Sequence, residues 1–150
     1  EAVIIEGIPK AMNSTQRKMG ALDAFAENPN IKPVAVASGH WKIEDGHELM
    51  ARWLQQYPQL DLVFAANDMM AFGILEALRE VGRQDVLVSS FDVLQAARQL
   101  IKAGQLQASV DQQPGYQGYL GVQYAMRALS GESLSAVTYV EAKLISPNEL

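Results

Sequence analysis

The chain contains no cysteine, so a disulfide framework and a thiolate zinc site are both excluded, and the redox compartment stays open. It also lacks a basic run: 12 Lys and Arg are scattered among 17 Asp and Glu, for a formal net charge of -5. That balance argues against nucleic acid or an anionic membrane surface as a partner and suits a small or neutral ligand. No apolar run approaches the roughly 18 residues of a spanning helix, and the start lacks the basic, apolar, small-residue order of a signal peptide. The opening "EAVIIEG" begins inside a strand pattern without Met, which reads as a mature product, an excised piece or an engineered fragment.

Catalytic signatures are missing too. No GxGxxG follows a strand, and neither GxxxxGK[ST] nor GxSxG is present, so phosphate cradles and nucleophile elbows lack their parts. His40 and His47 are seven apart, without helical i, i+4 spacing or a carboxylate partner arrangement, and read as surface residues. No metal, no cofactor and no enzymatic chemistry are expected.

What is present is a globular composition, 49% hydrophobic and 19% charged, in 150 residues. A chain of that length forms one domain and buries roughly two thirds of its unfolded surface. Short β-branched runs at Val3–Glu6, Lys32–Ser38, Leu60–Ala65, Asp85–Ser90, Leu106–Asp111 and Val137–Leu144 read as strands. Helical periods lie between them. Asn13 or Ser14 can cap a helix carrying Met19, Leu22, Phe25 and Ala26 on one face. Leu49, Met50, Trp53, Leu54 and Tyr57 share a face before Pro58, with Trp53 in the core, and Ala71, Ile74, Leu75 and Leu78 share another before Gly82. Asp92 can cap a helix with Leu94, Ala97 and Ile101, ending at Gly104; the last helix starts near Pro114 and buries Tyr119, Val122, Met126 and Leu129. All six methionines read as packing material.

Strand-helix alternation implies right-handed βαβ crossovers. The expected class is α/β, a doubly wound, mainly parallel sheet of about five strands with helices on both faces. Residues 1–150 read as one ligand-binding domain without an internal repeat.

Ligands of such sheets bind beyond the carboxyl ends of the strands. Those ends carry Glu6 through Ser14 with Arg17, then Gly39, His40 and Trp41, then Asn67 and Asp68, then Phe91 and Asp92, then Asp111, Gln112 and Gln113. One cation, carboxylates, amides and aromatics match a polyhydroxylated ligand: amides donate and accept, carboxylates accept from hydroxyls, and aromatic faces pack on ring C–H groups. Singly, Asp68 and Asp92 read first as helix N-caps, Trp41 as partly buried surface and Arg17 as a solvated side chain. The expected division of labour at "AAND" is that Asp68 caps while Asn67 faces the ligand.

"VIIEG" before a polar helix with Arg17 and Gly20, "VFAANDMMAFG", "FD" after a strand, "IKAGQLQASVDQQP" and the terminal "LISPNEL" occur here in one order. Over essentially all 150 residues the chain thereby resembles the C-terminal half of a bacterial periplasmic sugar-binding protein of the ribose/galactose type, the substrate-binding component of ABC importers. The resemblance implies a periplasmic chain that binds a monosaccharide or polyol without chemistry and delivers it to a membrane permease. It implies sugar contacts from Arg17, Trp41, Asn67, Asp92 and Gln112, with Phe91 lining the site and Gln112 on a strand crossing between lobes. It further implies two lobes that close by hinge motion, of which this chain holds one without its first strand and helix. Residues about 114–140 then belong to the other lobe, so a half-site and self-association of the chain are expected. The same fold serves LacI-type repressors, so the alternatives are a repressor's effector-binding domain, which is cytoplasmic, or a sensor's input domain.

Overall fold

Ala2, Val3, Ile4 and Ile5 are all buried, and a strand buried on both faces lies inside a sheet. In the computed structural model, which describes residues 1–150, that strand is β1 (Ala2–Glu6). Around it run β2 (Pro33–Ser38), β3 (Leu62–Ala65), β4 (Leu87–Phe91), β5 (Ala108–Asp111) and β6 (Lys143–Ile145), in the order β2-β1-β3-β4-β5-β6. All pairs from β2 to β5 are parallel, as expected, and β5–β6 is antiparallel.

Between the strands lie α1 (Met12–Ala26), α2 (Ile43–Gln56), α3 (Asp68–Glu80), α4 (Gln95–Lys102) and α5 (Pro114–Leu129). The chain turns one way from β1 to β2 and the other way thereafter, so right-handed crossovers place α1 on the opposite face from α2, α3 and α4. The alternation of side chains follows. Val3, Ile5, Val63, Ala65 and Val88 join Met50, Trp53, Ile74 and Ile101 in the main core, whereas Ala2 and Ile4 meet Phe25 of α1. Helices therefore stand on both faces, but unevenly: beside α1 a groove of about 580 Å³ is lined by Phe25, Phe64, Ser89, Phe91 and Val110.

Two glycines set the contact between α2 and α3. A Cβ on Gly73 would lie 2.0 Å from the Ile43 carbonyl oxygen, and one on Gly46 would lie 2.6 Å from that of Met70. The helices thus touch backbone to backbone.

Several expectations are corrected. The last strand is only Lys143–Ile145, and Val137 and Tyr139 are exposed, because no neighbouring strand pairs with residues 137–142. Helix α5 starts at Pro114 as read, yet it buries nothing: Tyr119, Val122, Met126 and Leu129 stand in solvent because no other element covers that face. Of the methionines, only Met50 and Met70 are buried; Met12, Met19, Met69 and Met126 are exposed. Helix α1 follows Ala11 with no side-chain cap, Asn13 instead accepting from the Ser14 amide. No helix is long and apolar enough to cross a membrane.

These packing differences separate two apolar helices. Ile74→Ala, in the α3 core, is expected to cost about 2–5 kcal/mol, whereas Met126→Ala on α5 stays within about 0.5 kcal/mol of the parent, both measured by urea unfolding.

Candidate ligand site

The strand order reverses between β1 and β3, and the chain leaving β1 enters α1 while the chain leaving β3 enters α3. That switch point opens a crevice at the carboxyl ends of the strands. Arg17, in the second turn of α1, reaches across it: its Nη1 donates to the Ala66 carbonyl at 2.8 Å, after β3. Its guanidinium lies over the Phe91 ring, 3.8 Å from the centroid, with Trp41 at 5.5 Å. Nη2 stands 3.5 Å from both Asp92 Oδ1 and Gln112 Oε1, and Gln112 Nε2 donates to Asp92 Oδ1 at 2.9 Å. One network therefore joins Arg17, Trp41, Phe91, Asp92 and Gln112 from four different segments, and Asn67 adds a fifth through Nδ2, 3.4 Å from the Trp41 carbonyl. Sequence expectation treated Arg17 singly as a solvated side chain; its side chain is 10% exposed.

Burial pulls the Arg17 guanidinium below its ordinary pKa, opposed by the charges of Asp92 and Asp68. Burial also pushes the Asp92 carboxyl up; Arg17 and the Gln112 hydrogen bond oppose this, and Asp68 reinforces it. The two groups compensate one another, leaving a crevice with donors and acceptors but no free charge.

Trp41 is set by its loop and by a glycine. His40 and Trp41 both have positive φ, 48° and 66°, in the turn after β2. Ser38 Oγ donates to the Gly7 carbonyl at 2.6 Å and accepts from the His40 amide at 3.2 Å, fastening that turn to the end of β1. The indole lies against Gly7, where a Cβ would come within 2.0 Å of the ring. Sequence reasoning missed Gly7; the available signal was a glycine directly after a buried strand at a ligand-facing end.

The cap expected of Asp68 is made by Asn67 instead. Asn67 is the N-cap of α3, its Oδ1 accepting from the Met70 amide at 2.9 Å. Asp68 is fully buried and turns to β4, β5 and the segment before α4: Oδ1 accepts from Ser90 Oγ and Ser109 Oγ, and Oδ2 accepts from the Leu94 amide. Asp92 likewise is no cap, since α4 starts at Gln95 after Leu94 and the Asp92 carboxylate serves Gln112 and Arg17. A side-chain carboxylate from outside α4 supplies the acceptor that Asp92 was expected to supply from within. The histidines do have carboxylate neighbours, His40 with Asp45 at 2.7 Å and His47 with Glu80 at 3.1 Å, in separate places, and no cluster of three or more potential ligands suits a metal ion.

Comparison with known proteins gives one picture. A family model described as "Periplasmic binding protein domain" matches residues 1–133. The D-ribose/D-allose-binding protein of Pseudomonas aeruginosa is 36% identical over 134 residues, covering 89% of this chain and 42% of that protein. The D-allose-binding periplasmic protein of Escherichia coli is 32% identical over 147 residues, covering 97% of this chain and 47% of that protein. Among solved structures, an ABC transporter periplasmic solute binding protein from Actinobacillus succinogenes with bound D-allose superposes with a TM-score of 0.96 at 36% identity, covering 99% of this chain and 52% of that one. A solute binding protein from Bacillus halodurans with bound myo-inositol gives 0.91 at 29% identity, covering 98% of this chain and 51% of that one. The chain spans about half the length of the relatives it matches.

Two outcomes follow from the geometry. Gly7→Ala expels the indole from its seat, seen as a red shift of Trp41 fluorescence in a Trp53→Phe background; an unchanged spectrum would contradict the packing. Asp92 holds its proton to higher pH when folded than when unfolded, so its contribution to stability falls as pH rises from the ordinary aspartate range through the raised folded value. Asp92→Asn removes that slope, so urea unfolding between about pH 3 and 7 should show the stability of the variant relative to the parent rising through that window.

Proposed function

The chain belongs to the periplasmic binding protein family, and from that premise we propose that it is the ligand-binding part of a solute-binding protein that takes up a monosaccharide or polyol for an ABC importer. The observation that carries the reading is the convergence of Arg17, Trp41, Asn67, Phe91, Asp92 and Gln112 at the switch point of the sheet. Asp92 accepts hydroxyl protons, Gln112 supplies an amide that donates and accepts, and Asn67, whose Oδ1 is taken by the α3 cap, offers the second N–H of Nδ2. Phe91 holds the Arg17 fork flat, so its remaining N–H groups meet a ligand oxygen without reorienting. Trp41 offers an apolar edge to the C–H face of a ring.

Because the Asp92 carboxylate stands against the Arg17 cation, the site suits an uncharged polyol over an acidic one. The sugars bound by relatives, D-allose, ribose and myo-inositol, are all of that kind. In this reading the ligand is bound and released unchanged, and the family match with relatives named as periplasmic supports a location in the periplasm beside a membrane permease.

The length of the relatives supports a second lobe that completes the site and closes over the ligand. Residues about 114–140 belong to that lobe in this reading, which accounts for the bare apolar face of α5 and for exposed Val137 and Tyr139. By itself the chain self-associates through this face.

Calorimetry tests the proposal. The full-length parent, titrated with D-allose, D-ribose and myo-inositol, should give heat with at least one, and Arg17→Ala or Asp92→Ala should each lose roughly 1.5–3 kcal/mol, about 10- to 150-fold in Kd. No heat and no thermal shift with any of the three would overturn it.

A further inference from the structure

Asp68 is 0% exposed, yet no cation hydrogen-bonds it: its hydrogen-bond partners are all neutral donors. A buried carboxylate persists only where its lone pairs are filled. Here the donors come from three different segments: Ser90 Oγ on β4 at 2.5 Å, Ser109 Oγ on β5 at 2.8 Å, and the Leu94 amide before α4 at 2.7 Å. It makes no side-chain hydrogen bond to its own helix, whose N-cap is Asn67.

The turn that Asp68 grips is the most strained place in the site. Asp92 has φ 114° and Val93 has φ 57°, a conformation that a β-branched residue rarely adopts. Such a turn survives only where its surroundings over-determine it. Three successive amides are fixed here. That of Asp92 donates to the Val110 carbonyl at 2.9 Å, that of Val93 to Ser109 Oγ at 3.1 Å, and that of Leu94 to Asp68. Ser109 Oγ accepts from Val93 while donating to Asp68, so two of the three anchors depend on this carboxylate.

We infer that Asp68 is a positioning residue: it holds the Phe91–Leu94 turn in its strained form and thereby aims the Asp92 carboxylate at Gln112, Arg17 and the ligand. Asparagine replaces it only poorly: with its oxygen on the two serines its NH2 faces the Leu94 N–H, and with its oxygen on Leu94 both serine hydroxyls must turn round to accept, Ser109 while already accepting from Val93. The bearing on affinity rests on the proposed function; the bearing on the turn does not.

Amide hydrogen exchange in Asp68→Asn and in the milder Ser109→Ala tests it. Exchange at Val93 and Leu94 should accelerate by about tenfold or more beyond any change at Ile4 and Ile5, which report global opening. In the full-length parent, Asp68→Asn should weaken D-allose binding by about tenfold, yet change it by less than about twofold in an Asp92→Ala background, because the two act as one unit. Val93 and Leu94 merely tracking Ile4 and Ile5, or equal losses in both backgrounds, would overturn the inference. If the parent binds no sugar, the exchange result alone decides, and if Asp68→Asn does not fold, Ser109→Ala decides.

Discussion

The parallel pairing of β1 with both β2 and β3 is the constraint from which the remaining architecture follows. A strand flanked on both sides sends its chain to one neighbour only, so the connection to the other arrives from elsewhere, and the loops after β1 and β3 part over a gap. The same reversal puts α1 alone on one face and three helices on the other. The Arg17 bond to the Ala66 carbonyl bridges that gap and ties the lone helix to the far half of the sheet.

Bridging with a buried cation is costly, and the structure offsets the cost locally. Phe91 takes the flat face of the guanidinium, Asp92 and Gln112 take one edge and Ala66 takes the other. Asp92 bears the opposite strain, its carboxyl pushed up by the burial that pulls Arg17 down. Neither group is comfortable alone, and each lowers the cost of the other. A hydroxylated ligand that hydrogen-bonds both would supply what water supplies at the open crevice, without needing charge of its own.

Much of this was legible in the sequence because the relevant signals are local. Period-two and period-3.6 patterns place β1 to β5 and α1 to α4 within a few residues, and the glycines at 82, 104 and 131 stop helices with positive φ as read. The strand-end rule brings the six candidate residues to one edge before any geometry is known. What failed has a common cause. Asn and Asp carry the same capping signal, so which of Asn67 and Asp68 turns inward is decided by Ser90 and Ser109, 22 and 41 residues away from Asp68. The apolar periods of α5 and of residues 137–144 announce burial, but burial needs a covering surface, and no residue of either stretch becomes buried.

The distribution of backbone strain explains why the site's fine structure is beyond sequence patterns. The non-glycine residues with positive φ are Lys10, His40, Trp41, Asp92, Val93 and Gln113, and every one follows a strand's carboxyl end. None lies at the opposite end of the sheet. A glycine would relax each turn but leave no side chain to aim, so Trp41 and Asp92 occupy unfavourable conformations in order to present an indole and a carboxylate. Propensity predicts against such residues at such positions. They are held by contacts beyond the turn itself: Ser38 at the end of β2 and Gly7 after β1 for Trp41, Ser109 of β5 and Asp68 of α3 for the Asp92 turn. The crevice is thus pre-formed by a rigid sheet that stabilises strained loops. A turn already held in place leaves little ordering to be done on binding, so in the proposed reading its strain is carried by folding rather than by recognition.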